Sequence, residues 1–279
     1  MRRLCSLFGL LLVLGICCLP VSSFGGDDEL VNSIAAAWTE VKPIPLPSGQ
    51  IADLTMDRAY LLQKLLAKKV LAGGAPAGFK AALTTKAAQE KFGASSALLG
   101  PLFKAGRLEP DAVIEVKQYV RPFIETEVGY VISEGISKPV QGVEELKKLV
   151  KEVFPAIELP DLRFQEMKGL KAGDIVVDAA GSAKYIEGKR IPAAGFDPNA
   201  VRVTLTMDGK TIHEGRGNEA LGDQWNALLW LVNEVTKLGW KIEPGQVFIT
   251  GALGGMAPGK PGKYEADFGS LGKLSFAVK

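Results

Sequence analysis

The stretch Phe123-Ile124-Glu125-Thr126-Glu127-Val128-Gly129-Tyr130-Val131 constrains this chain more than any other. Ile, Val, Tyr and Thr favour a pleated strand. Residues 128–132 are apolar apart from Gly129, as in a buried strand. Side chains two residues apart on a strand share a face, so Glu125 and Glu127 point the same way. Two like charges on one face of a buried strand repel each other and lose hydration. A bound divalent cation compensates both effects. A third carboxylate, Glu158, lies in another short apolar segment, Phe154-Pro155-Ala156-Ile157-Glu158-Leu159. Three oxygen ligands with coordination positions to spare suit Mg²⁺ or Mn²⁺. The competing reading of the Glu-x-Glu pair is a solvated strand face.

With 279 residues the chain can build one large domain or two small ones around a substantial core. Lys and Arg total 33 against 31 Asp and Glu, so no charge bias points to nucleic acid. The N-terminus reads as a secretory signal over residues 1–25. Arg2 and Arg3 precede an apolar run, Leu4 to Leu19, and Val21-Ser22-Ser23-Phe24-Gly25 offers small residues for cleavage. The run is short for a membrane span, and Ile16 is bulky for a lipoprotein site at Cys17. An exported protein, periplasmic or secreted and without a stable membrane span after cleavage, is expected. Cys5, Cys17 and Cys18 all lie in this segment, so the mature chain would have no disulfide, thiol nucleophile or cysteine metal ligand.

Further along, residues 26–54 read as an amphipathic helix (Asp27 to Val41) and an extended proline-rich connector. Residues 55–279 form the main domain. The apolar spacing predicts a helix over Thr55 to Leu71, with Thr55 or Asp53 as cap. A short strand from Ala77 leads into a helix at Thr85 to Phe92, and Lys80 is the one cation within that strand. Ala97 to Ala105 reads as an apolar turn or short helix. Val143 to Phe154 reads as a helix ended by Pro155, Asp174 to Asp178 as a strand, and Asn218 to Leu238 as a long apolar helix. Asp208-Gly209 between Val201–Met207 and Thr211–Glu214 is a hairpin signal. Val247 to Leu253 is a buried strand entering a glycine loop, and Tyr264–Phe268 with Leu274–Val278 form a final strand pair. Strands outnumber helices without regular βαβ alternation, which gives an α+β class with a mixed core.

Several familiar chemistries are excluded. Gly254 to Lys260 has P-loop spacing, but Pro261 stands where Ser or Thr is needed. There is no G-x-S-x-G elbow. His213 is the sole histidine and reads as a plain hairpin residue, which rules out a multi-histidine zinc site. Carboxylates, lysine and metal are left.

Five segments, in order, resemble the 2-keto-4-pentenoate hydratase group of the fumarylacetoacetate hydrolase superfamily. The family's K-x-G-L-T-S is similar to Lys80-Ala81-Ala82-Leu83-Thr84-Thr85. Its P-R-x-E-x-E is similar to Pro122-Phe123-Ile124-Glu125-Thr126-Glu127, and its A-x-E to Ala156-Ile157-Glu158. Its glycine-rich S-G-x-G segment and following helix resemble Glu214-Gly215-Arg216-Gly217 through Leu231. Its L-T-G-A-L resembles Ile249-Thr250-Gly251-Ala252-Leu253. The resemblance implies a mixed β-roll core with peripheral helices, a Mg²⁺ or Mn²⁺ site at Glu125, Glu127 and Glu158, and Lys80 and Asp178 as catalytic candidates. It places Thr84, Thr250 and Gly251 against a small 2-oxo acid, and it implies a homo-oligomer and a part in aromatic catabolism. The implied activity is a hydratase (lyase) working through an enolate or dienol. Decarboxylation or C–C hydrolysis on the same electron sink, or a non-catalytic exported binding protein of the same fold, are the alternatives. The chain departs from the pattern in places: Phe123 replaces an arginine, Asp178-Ala179-Ala180 replaces Asp-Asn-Ala, and Asp223-Gln224 replaces a small residue or His followed by Pro.

Overall fold

The computed structural model describes residues 24–279, so all but the last two residues of the expected signal segment lie outside the described part. The chain begins with helix α1 (Phe24–Glu40), a single-turn α2 (Pro47–Gln50) inside the proline-rich connector, and α3 (Met56–Leu71). Thr55 caps α3, its hydroxyl accepting from Arg58 N–H. Then come β1 (Gly78–Ala82), α4 (Lys86–Phe92) capped by Thr85, β2 (Leu98–Leu102), β3 (Arg107–Leu108), β4 (Val113–Ile114) and the long β5 (Phe123–Ile132). Helix α5 (Val143–Leu149) leads into β6 (Val150–Leu159), and α6 (Ala172–Val177) into β7 (Lys184–Glu187) and β8 (Ile191–Pro192). The hairpin β9 (Arg202–Met207) and β10 (Lys210–Arg216) precedes α7 (Gln224–Lys237). Strands β11 (Val247–Ile249), β12 (Leu253–Pro258), β13 (Gly262–Asp267) and β14 (Lys273–Val278) close the chain.

The strands make two mixed sheets. The larger runs β2-β1-β11-β5-β6-β7-β3, with β12 also on β5 and β8 on β6; the smaller runs β10-β9-β13-β14-β4. Parallel pairs (β1 with β11, β3 with β7, β4 with β14) sit among antiparallel ones. This is the expected α+β arrangement of mixed sheets with peripheral helices. The main core packs one face of the large sheet, through Phe79, Ile124, Val128, Tyr130, Ile157 and Phe248, against α7. A second apolar cluster joins α1, α3 and α6 through Leu30, Ile34, Leu62, Leu66, Val176 and Val177.

Four local expectations are corrected. Residues 98–102 form a strand, not a turn or helix. All five are buried, and Pro101 is tolerated because β2 is the edge of its sheet. The helix from Val143 ends at Leu149, and Val150 to Leu159 is a strand that contains Pro155. There eight of its ten residues pair with β5, and the missing N–H of Pro155 faces the gap between β7 and β8, where Gly188 N–H meets its carbonyl. Residues 172–177 are helical, not a strand. Asp174 accepts from Lys171 N, Ser48 N and the Ser48 hydroxyl, and a short buried apolar run does not itself distinguish strand from helix. The long helix starts at Gln224, six residues later than expected. Leu221 and Gly222 adopt left-handed backbone (φ +50° and +82°), and Asp223 caps by accepting from Asn226 N–H.

Candidate metal and 2-oxo acid site

The two central strands β5 and β6 assemble the carboxylates. Their register sets Glu125 directly opposite Glu158, with Glu127 one pleat further along the same face. One carboxylate oxygen from each of the three glutamates lies within 4.8 Å of the others. Glu127 and Glu158 are fully buried and Glu125 partly so. Glu127 Oε1 and Glu158 Oε2 have no hydrogen-bond donor.

Strand β1 carries Lys80 onto this face. Its Nζ lies 2.6 Å from Glu158 Oε1, and the residue is 1 % exposed. Burial pushes the ammonium toward neutrality, but Glu158, Glu125 and Glu127 outweigh it and hold the Lys80 pKa above its ordinary value. The carboxylates respond in the other direction. Burial first, then the Glu158 charge, pushes Glu125 up to about 8. Glu127 is held well above the carboxylate range by burial and by Glu158 and Glu125, although Lys80 and the Gly251 N–H oppose this. One lysine cannot balance three ionised carboxylates, so without a cation the cluster retains protons that a divalent ion could displace. The donor set is all oxygen, compact and partly orphaned, which fits a hard divalent cation.

The turn between β11 and β12 closes one side. Gly251 N–H donates to Glu127 Oε2 at 2.5 Å. Gly251 takes φ +107°, and a Cβ there would come within 2.5 Å of Thr84 Cγ2, so glycine is required where Thr84 packs against the turn. Thr84 is nearly buried and its carbonyl accepts from Leu221 N–H. Thr250 is fully buried, its hydroxyl 2.6 Å from Gln224 Oε1. The three glutamates and Lys80 thus share one face, joined there by the Gly251 N–H; Thr84 packs against Gly251, and the Thr250 hydroxyl turns to the opposite face, toward Gln224.

Asp178 makes its bonds elsewhere. Its carboxylate accepts from Trp38 Nε1 at 2.6 Å and from Arg163 Nη1 at 3.3 Å, and Arg163 lies over the Trp38 ring. Burial raises the Asp178 pKa to about 6, against the opposing pull of Arg163 and Trp38. This triad ties α1 to the end of α6. Asp178→Ala is expected to cost about 3–5 kcal/mol in a denaturant titration, the usual cost of breaking a buried ion pair. Lost turnover at unchanged stability would instead return Asp178 to the chemistry. Arg163 and Trp38 escaped the sequence reading because their partner is more than a hundred residues from Trp38 and no local pattern links them. Gln224 was visible only as a departure from the family pattern.

No family model matches the chain. In fold, it is similar to 4-oxalocrotonate decarboxylase from Pseudomonas putida G7, solved with magnesium and adipate, at TM-score 0.86 and 21 % identity over 93 % of this chain and 99 % of that one. A fumarylpyruvate hydrolase from Pseudomonas aeruginosa, solved with Mn²⁺ and pyruvate, aligns at TM-score 0.58 and 15 % identity over 72 % of this chain. The chain therefore shares its fold with these solved proteins. In sequence, the chain is 28 % identical over 250 residues to a 2-keto-4-pentenoate hydratase of Paraburkholderia xenovorans, spanning 88 % of this chain and 93 % of the relative. A hydratase of the same name from Paraburkholderia phymatum is 29 % identical over 260 residues, and a 4-oxalocrotonate decarboxylase from a Pseudomonas species 26 % over 252. The chain is a homologue of the 2-keto-4-pentenoate hydratases.

Proposed function

We propose that the chain is a divalent-metal-dependent lyase that hydrates a small 2-oxo acid of the 2-keto-4-pentenoate type. The observation that carries this reading is the convergence of Glu125, Glu127 and Glu158 beside Lys80 on one buried face. The three carboxylates would hold Mg²⁺ or Mn²⁺. The cation would supply Lewis acidity at the keto and carboxylate oxygens of the substrate, favouring the enolate or dienol. Lys80, with Nζ 2.6 Å from Glu158 Oε1, would orient the substrate or shuttle a proton beside the cation. Thr84 and the Thr250-Gly251 turn form the wall against which the acid's carboxylate lies. Burial of Glu127, Glu158 and Lys80 excludes bulk water and strengthens every charge interaction there.

The homology to curated hydratases supports hydration. Decarboxylation is the second reading, favoured by the match over nearly the full length of 4-oxalocrotonate decarboxylase. Calorimetry with Mn²⁺, with and without oxalate as the 2-oxo acid mimic, comes first. Metal-dependent oxalate binding is expected, followed by Mn²⁺-dependent loss of the ultraviolet band of 2-keto-4-pentenoate without CO₂ release. Carbon dioxide release from 4-oxalocrotonate would favour the second reading. Oxalate binding with no turnover of either acid would leave a binding protein of the same fold.

A further inference from the structure

Gln224 occupies the first turn of α7, and its side chain is completely buried. A buried primary amide needs partners for both ends. Its Oε1 accepts from two hydroxyls, Tyr130 at 2.9 Å and Thr250 at 2.6 Å, and its Nε2 donates to Gly217 O at 2.7 Å. Its backbone N–H donates to Asn199 Oδ1 at 2.8 Å. The side chain therefore links three separate segments: the central strand β5, the loop before α7 and the turn after β11. The residue after Thr250 is Gly251, whose N–H is 2.5 Å from Glu127 Oε2. Glu127 Oε1, the other oxygen of the same carboxylate, has no donor.

We propose that Gln224 is a positioning residue for the cation site: through the Thr250 hydroxyl it fixes the Thr250-Gly251 turn, and the Gly251 N–H in turn orients Glu127 so that its free oxygen faces Glu125 and Glu158. This rests on the reading of the three glutamates as cation ligands. Without the amide, the buried Thr250 hydroxyl loses its 2.6 Å partner, and the turn is left with two longer ties, both to Val128 O: the hydroxyl at 3.2 Å and the Thr250 N–H at 3.3 Å. A carboxylate that accepts a fixed backbone N–H through one oxygen can offer the other in one orientation; a carboxylate without that bond rotates. Partners that orient metal ligands commonly change affinity 10–100-fold when removed. The linkage also accounts for a polar residue at a buried position where the resembling family has proline.

The test is Mn²⁺ titration calorimetry on the folded full chain and its variants. Gln224→Met keeps the volume and removes the amide; it is expected to weaken Mn²⁺ binding by about tenfold or more. Thr250→Val breaks the same link from the other side. It is expected to give a similar loss, with the double variant little worse than either single one, as linked residues behave. Gln246→Met is the control: Gln246 is also buried and hydrogen-bonded, through Pro76 O and Glu243 N, but has no link to Glu127. It should lose stability and keep its Mn²⁺ affinity. Wild-type affinity in Gln224→Met or in Thr250→Val, or equal weakening in Gln246→Met, would overturn the inference. If Gln224→Met does not fold, Thr250→Val decides. Failure of the unaltered chain to bind Mn²⁺ would sink the cation reading and this inference with it, whereas normal wild-type binding with unaffected variants sinks the inference alone.

Discussion

Glu158→Ala is expected to weaken Mn²⁺ binding by more than about 100-fold, since loss of an outer partner alone commonly costs 10–100-fold. Glu158 contributes twice. It sits opposite Glu125 in the β5–β6 ladder, and it is the ion-pair partner of the buried Lys80 at 2.6 Å. Removing it takes away one carboxylate and leaves an ammonium facing the remaining two. Lys80 would then compete with the cation for Glu125 and Glu127. Breaking a buried pair from one side also destabilises by about 3–5 kcal/mol, so the variant should unfold earlier in denaturant. Glu158→Gln keeps the volume and separates the two effects: binding should fall as far, with a smaller stability loss. Near-native Mn²⁺ affinity in both variants would show that the cation, if bound, sits elsewhere.

The second large effect is a reversal of pH dependence by cation. The folded-state pKa of Glu125 is raised from 4.5 to about 8 by burial and by Glu158. An acid whose pKa is raised on folding binds more protons in the native state. Stability then falls as pH rises from the unfolded value toward the folded one. Glu127 acts in the same direction, as does Asp178, raised to about 6. His213, lowered from 6.5 by burial, opposes them in the acid part of the range. The metal-free chain should therefore lose stability between pH 5 and pH 8, and Glu125→Gln should lose less; the difference isolates the cluster. Mn²⁺ competes with protons for these oxygens, so its stabilisation should grow with pH. At a hundred times its dissociation constant it contributes about 2.7 kcal/mol. Thermal unfolding at pH 5 and pH 8, with and without Mn²⁺, measures both. Equal Mn²⁺ shifts at the two pH values would contradict the account.

Much of the fold was legible locally. Alternating Glu-x-Glu within an apolar run marked β5, Asp208-Gly209 marked the β9–β10 hairpin, and Thr55 and Thr85 marked two helix starts. These features depend on side-chain period, on turn residues with positive φ and on caps within three residues. The errors fell where nearest neighbours carry no decisive preference. Residues 98–102 and 172–177 are short apolar runs, and what each pairs with or packs on decides whether it becomes strand or helix. Pro155 reads as a helix stop in sequence. In the sheet it occupies a gap between two partner strands, and no local pattern encodes that gap.

The sequence alone determined which groups are available for chemistry: carboxylates and one strand lysine, with no cysteine after residue 18 and a single histidine. It also determined that Glu125 and Glu127 share a face, because the strand period is two. Tertiary structure alone decided that Glu158 meets Glu125, since that depends on the register between strands joined through α5. The distribution of bonds among buried polar groups was decided there too. Asp178 is held by Trp38 and Arg163, and Gln224 is tied to Thr250. A buried polar side chain bonds whatever donor or acceptor the packed fold brings within about 3 Å, and that partner can lie anywhere in the chain.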